Sequence, residues 1–168
     1  MKRVLWLCSV MAFMMMMVMG CSSEEKTKEE ATNETSADVK SELLDFYLSI
    51  ANKINRADGD LNTYEGTEDP TVLTDEDKQK AADSANAVVA ALKDVKVPES
   101  LETYSKDFEE AIKSISDSYQ EKAEQLLGTD EGTMDKANER FNEGSEKINQ
   151  IFELEDLNAP DLSAEVNG

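Results

Sequence analysis

Between residues 38 and 154, apolar side chains recur at steps of four and three, the period of one helix face. The first such segment carries Leu43, Tyr47, Ile50, Ile54, Ala57, Leu61 and Tyr64, with Leu44 and Phe46 widening the stripe. Its alternating steps keep the register of a coiled-coil seam. Asp38 or Ser41 is placed to cap the start. Gly59, between Asp58 and Asp60, costs roughly 1 kcal/mol against Ala in a helix and marks an expected weak point or kink.

The stretch EGTEDPTVL, residues 65–73, reads as a loop from Gly66 and Asp69-Pro70. Thr74 is a fitting N-cap for a second helix, with Asp75, Glu76 and Asp77 complementing the dipole in its first turn. Its face is small: Ala81, Ala85, Val88, Leu92, Val95. Val97-Pro98 ends it, because proline disfavours helix at the residue before it, and Pro98 suits the first turn of a third helix. The third stripe runs through Leu101, Tyr104, Phe108, Ile112, Ile115 and Tyr119, then Ala123 and Leu126 or Leu127. Gly128 is a C-cap candidate. Thr133 or Asp130 starts a fourth helix, whose face holds Met134, Ala137, Phe141, Gly144, Ile148, Ile151 and Phe152.

The pattern therefore predicts helices over about 38–64, 75–96, 98–127 and 133–154. Short connections between long helices make antiparallel neighbours. The expected fold is all-α, an antiparallel up-down four-helix bundle, with a three-helix bundle broken at a glycine as the alternative. More than twenty large apolar positions, at ~1.5–3 kcal/mol each, suffice for a core without disulfides. Residues 155–168, with Pro160 and no basic residue, read as a flexible acidic tail.

Upstream the pattern changes twice. Residues 22–37 contain no large apolar side chain and cannot bury enough to order themselves. They are expected to form a tether of ~16 residues spanning ~20–25 Å. Before them, Val4 to Met19 are apolar apart from Ser9, and Lys2 and Arg3 precede that run. Two cations, an apolar stretch and a small residue before a cysteine have the layout of a secretory signal. An uncleaved transmembrane helix is the alternative, though such a helix usually needs ~20 apolar residues. Either one places the domain outside the cytoplasm.

The tetrad Val18-Met19-Gly20-Cys21 resembles a bacterial lipobox, and the layout resembles small helical lipoproteins of Gram-positive bacteria. The resemblance implies that residues 1–20 are a signal peptide cut between Gly20 and Cys21. It also implies that the Cys21 sulfur carries a diacylglyceryl group, palmitate being typical of its acyl chains. A diacylglyceryl transferase and a lipoprotein signal peptidase would process it. Two acyl chains anchor stably where one binds only marginally. The expected location is the extracytoplasmic face of the cell membrane. Ser22 does not resemble an inner-membrane retention signal, so a Gram-negative source would imply the outer membrane.

With residues 1–20 removed, the chain has no His, no Trp and Cys21 as its single thiol. That excludes disulfides, Cys/His zinc sites and Ser-His-Asp or Cys-His nucleophiles. The formal charge of the whole chain is −20, and Lys2 and Arg3 are the only charged residues before Cys21, so the remainder carries −22. Such a chain is not expected to bind nucleic acid, which needs a basic footprint, or to lie flat on an anionic membrane.

No residue is assigned a catalytic role, and no metal or other cofactor is expected. Asp58-Gly59-Asp60-Leu61-Asn62 begins like a calcium loop, but Thr63 and Asp69 stand where an EF-hand needs Gly and a bidentate Glu. Tyr47, Tyr64, Tyr104 and Tyr119 fall on the stripes, as core residues with boundary hydroxyls do. The function expected is a membrane-anchored helical protein-interaction module with an envelope protein as partner. It would use an exposed apolar strip, such as Leu44 and Phe46. The alternative is a binding protein for a metal ion or small cationic ligand through the acidic surface. An enzyme ranks behind both.

Overall fold

A computed structural model describes residues 25–128 and 134–166, with side chains described from residue 37 onward. Two compact units divide the chain, Met1–Val39 and Lys40–Gly168. Within the described residues every regular element is helical. We number the α-helices α1 (Glu25–Asn55), α2 (Gly59–Glu65), α3 (Asp75–Lys93), α4 (Ser105–Leu126), α5 (Met134–Leu154) and α6 (Leu162–Val166). Short 3₁₀ turns, Pro70–Val72 and Glu99–Tyr104, precede α3 and α4.

The helix boundaries follow local chemistry. Helix α1 begins at Glu25, inside the segment expected to be a tether, and the apolar stripe begins later, at Leu43. The expected weak point near Gly59 is a break: α1 stops at Asn55 and α2 starts at Gly59. Helix α3 opens with a capping box. The Thr74 hydroxyl accepts from the Asp77 N–H, and the Asp77 carboxylate accepts from the Thr74 N–H. Pro98 is not in the first turn of an α-helix as expected. It precedes the 3₁₀ turn, and α-helix resumes at Ser105, after Leu101 leaves helical geometry (φ −107°, ψ 16°).

Two helix ends use left-handed residues. Gly128 (φ 67°) closes α4 as expected of a C-cap glycine. Asp156 (φ 52°) closes α5. There the Leu157 N–H donates to the Phe152 carbonyl (3.0 Å) and the Asp156 N–H to the Glu153 carbonyl (3.1 Å), the Schellman pattern.

Within Lys40–Gly168 the stripes form the core. Leu43, Ile50, Ile54, Phe108, Ile115 and Ile148 are fully buried. Phe46 meets Phe108 edge to face at 4.9 Å, and Tyr47 meets Phe152 at 5.6 Å. Phe46 is thus a core residue and not part of an exposed strip; Leu44 is exposed, and so is Leu48 one turn on. Helices α4 and α5 approach closely at Gly144, where a Cβ would lie 2.7 Å from Ile115 Cγ1 and 2.8 Å from the Ala111 carbonyl oxygen. Ion pairs bind the same two helices: Glu121 with Lys136 and Arg140, Asp117 with Arg140, Glu110 with Lys147. Their order shows that α4 and α5 run antiparallel.

The C-terminal stretch departs from the expected flexible tail. Helix α6 buries Leu162 and Val166 completely. The Asn55 amide donates to the Glu165 carbonyl (2.9 Å) and the Asn62 amide to the Val166 carbonyl (2.8 Å). A five-residue helix carries too few apolar positions for its period to show in the sequence.

Candidate functional site

The break between α1 and α2 turns a carboxylate inward. Steps of four and three lead from Ile54 either to Ala57 or, by way of Asp58, to Leu61; the structure places Asp58 inside, 1% exposed. The Tyr119 hydroxyl of α4 donates to Asp58 Oδ2 at 3.2 Å. Burial pushes the Asp58 carboxyl up from its ordinary value, against the opposing effects of its hydrogen bonds with Tyr119 and Asn62 and of Lys122. Burial and the neighbouring Asp58 push the Tyr119 hydroxyl far up, so it stays protonated and a donor. The break is also pinned from α3. The buried Ser84 hydroxyl donates to the Ala57 carbonyl (2.6 Å) and accepts from the Leu61 N–H (3.3 Å).

One turn beyond Tyr119, Lys122 is 8% exposed. Its Nζ pairs with the Glu65 carboxylate of α2 at 2.9 Å and stands 5.8 Å from the centre of the Tyr119 ring. An ammonium so enclosed needs this partner, since a buried unpaired charge is costly. Tyr119 and Phe141 of α5 meet edge to face at 6.2 Å.

These groups border a cleft of about 450 Å³, within the size range of small-molecule sites. Asn62 and Glu65 come from α2, Tyr119 and Lys122 from α4, Asn138, Phe141 and Asn142 from α5. Helix α6 supplies the last wall through Ser163 and Val166. Each contribution is an i, i+3 or i+4 set, so one face of each helix looks into the cleft.

A second concavity, about 490 Å³, lies where α3 and its following loop meet α4. Val89, Leu92, Val97 and Ile112 line it, with Lys93 and Lys96 beside them. It is the more apolar of the two.

The residues singled out from the sequence fall as follows. Gly20 and Cys21 lie outside the described residues. Of the calcium-like run, Asp58 is committed to Tyr119, while Asp69 caps the 3₁₀ turn, accepting from the Thr71 N–H at 3.0 Å. Among the described residues, no group of three or more Asp, Glu, His or Cys side chains could hold a metal ion. Tyr104 reaches the boundary, its hydroxyl donating to Glu155, which with burial raises it to about 12. Tyr47 does not: its hydroxyl is buried without a partner, and burial, then Glu165 and Asp161, push it up to about 12. The cleft itself was not evident beforehand. Its signal in the sequence is the pair of uncharged amides, Asn138 and Asn142, one turn apart at exposed positions in the charged first half of α5.

Fold and site together define a small all-helical protein whose described residues form, among other concavities, a half-open polar cleft and a more apolar groove. Among its described residues no helix is long and apolar enough to cross a membrane. No protein-family model, curated protein or solved structure matches the chain significantly.

Proposed function

We propose that this chain is a membrane-anchored extracytoplasmic lipoprotein whose helical domain is an interaction module. The observation that carries the anchor is Val18-Met19-Gly20-Cys21 at the end of an apolar segment that follows Lys2 and Arg3. The domain is read as an up-down-up-down bundle with α1 and α2 together as its first member. Contacts support this reading: Phe46 with Phe108, Asp58 with Tyr119 and Glu65 with Lys122 run in the same order, as the diagonal first and third helices of such a bundle do.

The groove of Val89, Leu92, Val97 and Ile112, together with exposed Leu44 and Leu48, offers the apolar surface that an envelope partner would cover. The reading as a binder of metal or cationic ligands has less support. The cleft's one lining carboxylate, Glu65, is already neutralised by Lys122.

The anchor is tested in cells fed a clickable palmitate analogue. The wild-type chain takes up the label and migrates as the form lacking residues 1–20. Cys21→Ala loses the label and keeps its full length. A Cys21→Ala protein that is still labelled and shortened overturns the reading. Photocrosslinkers at Leu44, Leu48 and Val97 test the module: an adduct with an envelope protein is expected at one of them, and none at any position removes that part of the account.

A further inference from the structure

We propose that the cleft between α2, α4, α5 and α6 is a binding site for a small neutral polyhydroxylated ligand, a mono- or disaccharide. The inference goes beyond the anchor and the protein-interaction surface, and depends on neither.

The charge of the lining selects against ions. Its two charged groups, Glu65 and Lys122, already satisfy one another at 2.9 Å. A cation entering would have to take Glu65 from Lys122 and leave a nearly buried ammonium unpaired, which is costly. An anion would approach a chain whose residues 21–168 carry −22, against a repulsive field. A neutral ligand meets neither obstacle.

The remaining polar groups are those that vicinal hydroxyls need. Asn138 and Asn142 stand one turn apart on α5, and each amide presents both donors and an acceptor. Asn62 faces them from α2; its amide nitrogen is engaged by the Val166 carbonyl at 2.8 Å and by Asp58, which leaves its oxygen as an acceptor. The Glu65 carboxylate can accept two adjacent O–H groups without giving up Lys122, since its oxygens have four lone-pair sites. Asparagine is a poor choice for a helix interior on propensity alone. Two of them on one face of α5, among Asp135, Lys136, Glu139 and Glu143, mark the quadrant where charge gives way to amide.

Two aromatic rings of the lining are fixed in place. Tyr119 and Phe141 lock edge to face, and Asp58 holds the Tyr119 hydroxyl from behind. Such preorganisation lowers the ordering cost of binding. Aromatic rings beside convergent polar groups combine the two kinds of contact that a small-ligand site uses.

The test is calorimetric titration of the full-length chain in a detergent without a sugar headgroup. Glucose, N-acetylglucosamine and maltose are the probes, with spermidine and glutamate as charged comparators. Saturable binding of at least one saccharide is expected, weakened tenfold or more by Asn138→Ala/Asn142→Ala. Both side chains are exposed, so the variant should fold, and its melting curve checks this. Asn138→Asp keeps the size and gives a second reading, with saccharide affinity falling and no spermidine affinity appearing. The proposal is overturned if no saccharide binds, if binding survives the double substitution, or if only spermidine or glutamate binds. None of these outcomes bears on lipid labelling at Cys21, so the two readings fail separately.

Discussion

Asp58 shows how a single residue escapes pattern reading. It stands beside Gly59 in a run that looks like a solvated helix end, yet it is buried against Tyr119. Steps of four and three admit Ala57 and Asp58 alike at that point, and polarity argues for the wrong one. Because burial raises its folded-state pKa, Asp58 binds more protons folded than unfolded between the two values. Its contribution to stability is thus fully present below the unfolded pKa of about 3.9 and is lost as pH rises through the folded one. Asp58→Asn keeps an acceptor for Tyr119 and removes this loss. At pH 7 it should melt at or above the wild type, and the advantage should shrink as the pH falls towards 4. A lower melting temperature at pH 7 would contradict the assignment.

Asp156 gives a second test at the same scale. It holds a left-handed conformation that glycine adopts freely and other residues at ~1–2 kcal/mol. Asp156→Gly should raise the melting temperature by roughly 2–4 °C, read by circular dichroism. A fall would mean that the Asp156 side chain makes a contribution larger than this strain.

At the scale of elements, the four stripes and their caps were legible because long amphipathic helices repeat their signal over many turns. The break before Gly59, the Thr74–Asp77 box and the Gly128 cap all follow from local residue chemistry. The 3₁₀ turn after Pro98 and helix α6 were not legible, since each is too short to show a period. Gly144 is an element-scale residue: it sets how near α4 and α5 come. Gly→Ala in a helix ordinarily stabilises by roughly 1 kcal/mol. Here the added methyl meets the Ala111 carbonyl, so Gly144→Ala should instead destabilise by ~1–3 kcal/mol, measured by urea denaturation. Helix α6 is the other case. Deleting residues 161–168 uncovers the sites of Leu162 and Val166, worth ~1.5–3 kcal/mol each. The melting temperature should drop by roughly 10 °C or more, and an unchanged melt would return this stretch to the status of a free tail.

At the scale of the whole molecule, net charge sets the electrostatics. Residues 21–168 carry −22, and the ion pairs Lys78–Asp75, Lys80–Glu76 and Lys106–Glu110 within α3 and α4 are exposed and individually weak. Self-repulsion should therefore exceed pairing, and raising salt from ~10 mM to ~150 mM, which shortens the Debye length from ~30 to ~8 Å, should raise the melting temperature. A decrease would mean that the ion pairs between α4 and α5 outweigh the repulsion. The candidate site was the least legible feature. Its parts lie on four helices, and only their packing brings Asn62, Tyr119, Lys122 and Asn142 to one cleft. The proposed anchor motif is the opposite case, four consecutive residues, Val18-Met19-Gly20-Cys21.

The central claim is that Cys21 tethers a helical domain to the membrane surface. Mass spectrometry of the N-terminal peptide of the protein isolated from native membranes tests it most directly. The account predicts a peptide that starts at Cys21 and carries a diacylglyceryl group. A peptide that retains residues 1–20, or that starts at Cys21 with a free thiol, would contradict it.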